Sequence, residues 1–192
     1  MPRITEPTVA EHHAKQRRRL TEAAREIVLA EGIERLSFGR MAERTGLARP
    51  SVYSYFSSVE EALLAVCQLE FQAMNSELEE SLGSLRSPKQ RVTTWVRAQL
   101  ERVANGERHL LNRISASLLG KQVSGQLAEL QDALLPPLAA AYADLGERDA
   151  LLAATITQGA VDAAARRIES GDDAKRTIRK TVAFALNGYD AK

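Results

Sequence analysis

Leu20, Ala23, Ala24, Ile27 and Val28 recur at i, i+3, i+4, i+7 and i+8, a spacing that places all five on one face of an α-helix and on no single face of a strand. The stripe predicts a helix over about residues 11–30, ended by Gly32, which tolerates left-handed backbone angles. The same periodicity runs through the chain, and no segment shows convincing apolar–polar alternation. The fold class expected is therefore all-α.

Shorter elements follow the first helix. Ser37 can cap a helix over FGRMAERT, with Met41 and Ala42 inward. Gly46 breaks it, Leu47 can pack into the corner, and a third helix is expected at about 49–55, with Pro50 in its first turn. Ser57 or Ser58 caps a long fourth helix reaching Leu82, and Glu60 and Glu61 suit its positive N-terminal end. Further helices are expected at about 88–104, 108–119, 124–143, 148–169 and 173–187, separated by glycine-containing breaks. Pro136 and Pro137 fall inside the 124–143 pattern, so that helix is kinked or divided in two.

Composition removes several classes of function. Hydrophobic residues make up 44% and charged residues 27% of 192 positions, a soluble globular profile. No run approaches the ~18 apolar residues of a membrane span, and MPRITEPTVAEHHAK lacks the apolar core of a secretory signal, so a cytoplasmic location is expected. The single Cys67 excludes an internal disulfide and reads as a small buried hydrophobe in ALLAVCQLEF. One thiol and three histidines make a poor metal-site inventory. There is no nucleophile–base pair, metal-ligand spacing or phosphate loop, so no catalytic residue, metal or cofactor is expected.

The formal charge of +1 divides unevenly. Residues 1–57 hold 10 Lys/Arg against 7 Asp/Glu, and residues 58–192 hold 16 against 18. The positive field lies at the N-terminal end, where two short helices joined by TGL form a helix-turn-helix pattern. On the third helix, in GLARPSVYSYF, Val52 and Phe56 form the only wholly apolar i, i+4 row and should anchor it. Arg49 with Tyr53, Ser51 with Tyr55 and Pro50 with Ser54 are left to flank the core or face solvent. At the helix start, the Arg49 guanidinium can donate two hydrogen bonds to guanine O6 and N7. The hydroxyls of Ser51, Tyr53 and Tyr55 can donate to phosphate, while the tyrosine rings also cover apolar surface. Arg17, Arg18 and Arg19 put cations at a helix N-terminus against its dipole, and phosphate attraction or plain solvation explains them.

Residues 17–66, RRRLTEAAREIVLAEGIERLSFGRMAERTGLARPSVYSYFSSVEEALLAV, resemble the DNA-binding head of the tetracycline-repressor (TetR) family of bacterial regulators. The resemblance is carried by AA at 23–24, Gly32, the cap at Ser37, the MAERTGL corner, and VYSYF followed by a serine-rich helix start. It implies a three-helix head over residues 1–57 and a helical effector-binding and dimerisation domain over 58–192. It also implies a homodimer on a near-palindromic double-stranded operator, released by a small-molecule effector. DNA-contact candidates are then Arg49, Pro50, Ser51, Tyr53, Ser54 and Tyr55, with Ser37 and Arg40 on the second helix and Arg18 on the first. Three departures stand out: Ala48 replaces a polar cap, Val59 replaces a phosphate-touching lysine, and Gly39 cannot read a base.

In the C-terminal part, ALLAATITQGAVDAAARRIES is rich in alanine, with Gly159 near its middle, and Ile178, Val182, Phe184 and Leu186 offer larger partners on the next helix. In the family the last two helices commonly pair with their symmetry mates. Thr155, Gln158 and Asp162 form a polar stripe compatible with a pocket, an interface or water. Candidate effector-pocket residues are Phe71, Met74, Trp95, Gln99, His109 and Gln158, whose apolar surface with a few polar groups suits a hydrophobic ligand. For the aromatics, an ordinary core role fits equally well. A DNA binder without ligand control, and a helical-bundle enzyme, are the competing function classes.

Overall fold

The computed structural model describes residues 9–106, 110, 111, 114 and 121–187. Its helices are α1 (Val9–Glu31), α2 (Phe38–Thr45), α3 (Arg49–Val52), α4 (Val59–Gly83), α5 (Pro88–Ala104), α6 (Lys121–Asp132), α7 (Leu135–Asp144), α8 (Ala150–Glu169) and α9 (Ala174–Asn187), with a 3-10 turn at Ile33–Arg35. Among the described residues there is no strand, and the fold is all-α. The helix expected at 108–119 lies almost wholly outside the described residues. The chain divides into two compact units, one of residues 1–70 and 110–124, the other of 71–109 and 125–192, so the division falls within α4.

In the first unit the predicted stripe is the core: Leu20, Ala24, Ile27 and Val28 are fully buried, together with Met41 and Val52, and Phe56 is nearly so. Gly32, at φ 97°, and Gly46, at φ 71°, take positive φ at the two helix ends, Gly46 in the left-handed helical region. Gly46 N–H closes α2 on the carbonyls of Ala42 and Glu43. At the other end of α2, Ser37 Oγ accepts from the Arg40 amide at 3.3 Å. α3 is shorter than expected, because residues 53–55 tighten into i, i+3 bonding: Ser54 N–H to Ser51 O at 3.2 Å and Tyr55 N–H to Val52 O at 3.0 Å.

Two polar ties join α1 to α4 within this unit. Arg25 pairs with Glu70, and Arg17 with Glu61 at 3.1 Å. Glu61 also accepts from the amide and hydroxyl of Ser57, both at 2.8 Å, while Ser58 Oγ accepts from the Glu61 amide at 3.2 Å. The Ser57 N–H, followed by the Ser57 hydroxyl and the Arg17 charge, outweighs desolvation and holds the Glu61 carboxyl below its ordinary value of 4.5. A depressed carboxylate stabilises the fold above its unfolded value, and that contribution disappears as pH falls through the folded one. Thermal melts between about pH 6 and pH 3 should therefore show a shallower acid-side decline in Glu61→Gln than in wild type. Cys67, fully buried beside Glu70, has its thiol pushed up to about 12, so at neutral pH it carries no thiolate for redox chemistry.

In the second unit α5 packs against α7, α8 and α9. Trp95 is fully buried, and its Nε1–H donates to the Leu134 carbonyl at 3.0 Å. Tyr142 OH donates to the Ala185 carbonyl at 3.0 Å and lies 2.7 Å from Thr157 Oγ1, which therefore supplies the second proton. Burial of this hydroxyl raises its pKa. The 124–143 pattern is divided: Pro136 and Pro137 sit in the first turn of α7, where a missing N–H leaves no intrahelical bond unmade. α8 turns Ala154, Thr157, Gln158, Val161, Ala164 and Ala165 inward. Of the larger residues expected to face it from α9, Ile178 is buried, but Phe184 is 57% exposed.

Candidate nucleic-acid interface

α2, the turn at Gly46 and α3 form the helix-turn-helix. Val52 is fully buried and Phe56 is 1% exposed, the anchoring row predicted from their spacing. Arg49, Pro50, Tyr53 and Ser54 are exposed, and Ser51 and Tyr55 half-buried. Both tyrosine rings rest on aromatic partners. Tyr53 meets Phe38 edge-on, with centroids 4.8 Å apart, and Tyr55 lies 4.6 Å from the His13 ring. Among the described residues neither hydroxyl has a protein hydrogen-bond partner. Each ring is thus held from within while its polar end remains available.

The cations of the head separate into occupied and available. Arg17 is engaged by Glu61 and lies over the Phe56 ring at 4.5 Å. Arg19 donates to Gln16 Oε1 at 3.1 Å and to the Thr45 carbonyl at 3.2 Å. Arg44 bridges Glu26 at 3.0 Å and Glu31 at 3.2 Å, and Arg40 pairs with Glu31. Arg18 has only the i, i+4 pair with Glu22 at 3.0 Å and is 73% exposed, the kind of surface pair that contributes ~0.2–1 kcal/mol and yields readily to phosphate. Arg49 has no hydrogen-bond or ion-pair partner among the described residues. Among the described residues, Arg18 is the helix 1 arginine held least, by one exposed pair that phosphate can displace.

Ser37 uses its hydroxyl as the α2 cap. Ala48 makes no side-chain cap for α3, and Thr45 does not substitute, since its hydroxyl donates to the Met41 carbonyl at 2.8 Å. Sequence reading missed His13, whose i+4 and i+7 neighbours Arg17 and Leu20 were the available signal. α1 begins at Val9, so His13 lies within that helix, one turn from its start.

The effector candidates do not gather at a single opening. Met74 and Gln99 line a groove of about 260 Å³ between α4 and α5, with Leu78, Ala98, Glu77 and Arg102. Gln99 is 7% exposed and its Nε2 has no hydrogen-bond partner. Trp95 belongs to the bundle core, and Phe71 packs against that core half-buried. Gln158 donates to Asp162 at 3.0 Å and keeps its Oε1 without a partner, while Gln131 donates to the same carboxylate at 3.1 Å. His109 lies outside the described residues. Among the described residues there is no cluster of metal-ligating side chains, and no helix is long and apolar enough to cross a membrane.

A buried three-helix corner presenting a guanidinium and aromatic hydroxyls that are unpaired among the described residues is the arrangement of a helix-turn-helix head. Residues 20–66 match the model for bacterial regulatory proteins of the tetR family. Solved structures share the fold over most of the chain's length. FadR from Bacillus subtilis, in complex with stearoyl-CoA, is 16% identical with a TM-score of 0.69, covering 89% of this chain and 98% of that one. A transcriptional regulator from Saccharomonospora viridis, in complex with choline, is 16% identical with a TM-score of 0.69 over 89% and 95%. The reduced form of NemR from E. coli is 16% identical with a TM-score of 0.70 over 90% and 97%. No curated protein sequence matches the chain.

Proposed function

We propose that the protein is a ligand-responsive transcriptional repressor that binds a near-palindromic operator as a homodimer in the cytoplasm and is released by a small-molecule effector. Residues 1–57 form the DNA-binding part, and residues 58–192 bind the effector and the second copy. The observation that carries this reading is Arg49: among the described residues it has no partner as it opens the second helix of the helix-turn-helix, beside Tyr53 and Tyr55 whose hydroxyls are likewise unpaired there. Arg49 reads a base, Ser51, Tyr53 and Tyr55 contact phosphate, and Pro50 and Ser54 flank them. Arg18 adds a phosphate contact. Ser37 and Arg40 approach the backbone from α2, Arg40 by exchanging Glu31 for phosphate.

Ligand complexes of the structural relatives support the effector half of the reading, with choline and stearoyl-CoA marking a wide range of ligand size. In this chain the Met74–Gln99 groove, about 260 Å³, is lined by Glu77, Ser81, Glu101, Arg102 and Asn105 beside Met74, Leu78 and Ala98, and suits a small amphipathic molecule with several hydrogen-bonding groups. Its binding shifts DNA affinity by a coupling energy of about 1–3 kcal/mol. The base-reading role is tested with a duplex that wild-type protein selects from a randomised library. Arg49→Ala should weaken binding to it by about 1–3 kcal/mol and relax preference at one position of each half-site. Equal losses on every duplex would remove Arg49 from base reading.

A further inference from the structure

The matched family segment begins at residue 20, yet α1 extends eleven residues before it, and one of these touches the recognition segment. His13 Nε2 lies 3.3 Å from the Ser54 carbonyl oxygen. A carbonyl only accepts, so this contact requires the proton on Nε2. The same ring lies 4.6 Å from the Tyr55 ring at 31°. Ser54 stands just beyond α3, where helix carbonyls lose their partners, and no backbone amide among the described residues donates to its oxygen. One imidazole therefore satisfies the end of the recognition segment and braces the aromatic beside it.

We propose that His13 is a positioning residue for DNA recognition, holding the end of α3 and the Tyr55 ring in the orientation in which they meet the duplex. Four residues of α3 cannot hold a rigid register alone, because so short a helix has few internal bonds. Val52 and Phe56 fix its inner side, and α1 supplies the outer brace through His13. The hydrogen bond restrains the backbone, and the ring contact restrains the tyrosine. The inference rests on the DNA-binding reading above.

The test is a double-mutant cycle on His13 and Tyr55, read by fluorescence anisotropy with the duplex selected by the wild-type protein. His13→Ala should weaken binding by about fivefold, the size of one modest hydrogen bond, with base preference and salt slope unchanged. His13→Gln, which retains an amide donor, should recover most of the loss. In a Tyr55→Ala background, His13→Ala should cost little further, since the two residues act through one another. Equal losses in both backgrounds, no loss at all, or a reduced salt slope would overturn the inference, the last by making His13 a direct phosphate contact. If wild-type protein enriches no duplex, the DNA-binding reading itself fails and the positioning role falls with it.

Discussion

Phe184→Glu is expected to leave the protein monomeric and to reduce operator affinity by about 10²–10⁴-fold. Phe184 is 57% exposed on α9, and Leu151, Leu152 and Ile156 on α8 are 61%, 53% and 55% exposed. Apolar side chains of this size are individually ordinary on a surface, but Leu152, Ile156 and Phe184 line one shallow opening between α8 and α9, a patch that calls for a partner. Gly159, where an added Cβ would meet nothing within 4 Å, and exposed Ala163 continue the outer face of α8 and admit a close helix. In the proposed homodimer, a two-fold pairing of α8 and α9 would cover this face with a second copy. Glutamate at 184 would bury a charge there at several kcal/mol. A monomer carries one head, so the second half-site no longer binds intramolecularly, and affinity falls by the lost effective concentration. Light scattering and anisotropy on one preparation decide the matter: a dimeric Phe184→Glu with unchanged affinity would place the interface elsewhere.

Trp95→Ala is expected to destabilise the second unit by about 4 kcal/mol. Trp95 is fully buried, so its removal leaves a cavity that α5 and its neighbours cannot fill, and the Leu134 carbonyl loses the donor 3.0 Å away. Set against a domain stability of about 5–15 kcal/mol, that is a substantial fraction of the total. Trp95→Phe, which retains most of the volume but not the N–H, should lose roughly half as much. Urea unfolding followed by circular dichroism measures both, since Trp95 is the only tryptophan and its replacement removes the fluorescence signal. A loss below about 1 kcal/mol for the alanine variant would contradict the packing described.

Local periodicity is what the sequence reveals best. Val52 and Phe56 announce themselves as an anchor because four residues make one helical turn, and Pro136 with Pro137 announce the break because neither can donate a backbone hydrogen bond. Side-chain pairing across the fold is not legible in this way. Arg17 meets Glu61, 44 positions away, and Trp95 meets a carbonyl 39 positions away. Nothing in either local pattern names the partner. For the same reason the run of three arginines does not itself reveal that Arg17 and Arg19 are held within the head, while Arg18 has, among the described residues, an exposed pair with Glu22 alone. His13 was the costliest omission: its role depends on α3 folding back across α1, a relation that helical spacing alone cannot supply.

The most direct measurement is selection of duplexes from a randomised library by the wild-type protein, repeated at rising salt. The expected result is a near-palindrome with half-sites one helical turn apart, about 34 Å. Affinity should fall steeply and linearly in log–log form with salt. Enrichment of no sequence, or binding indifferent to salt, would contradict the DNA-binding reading.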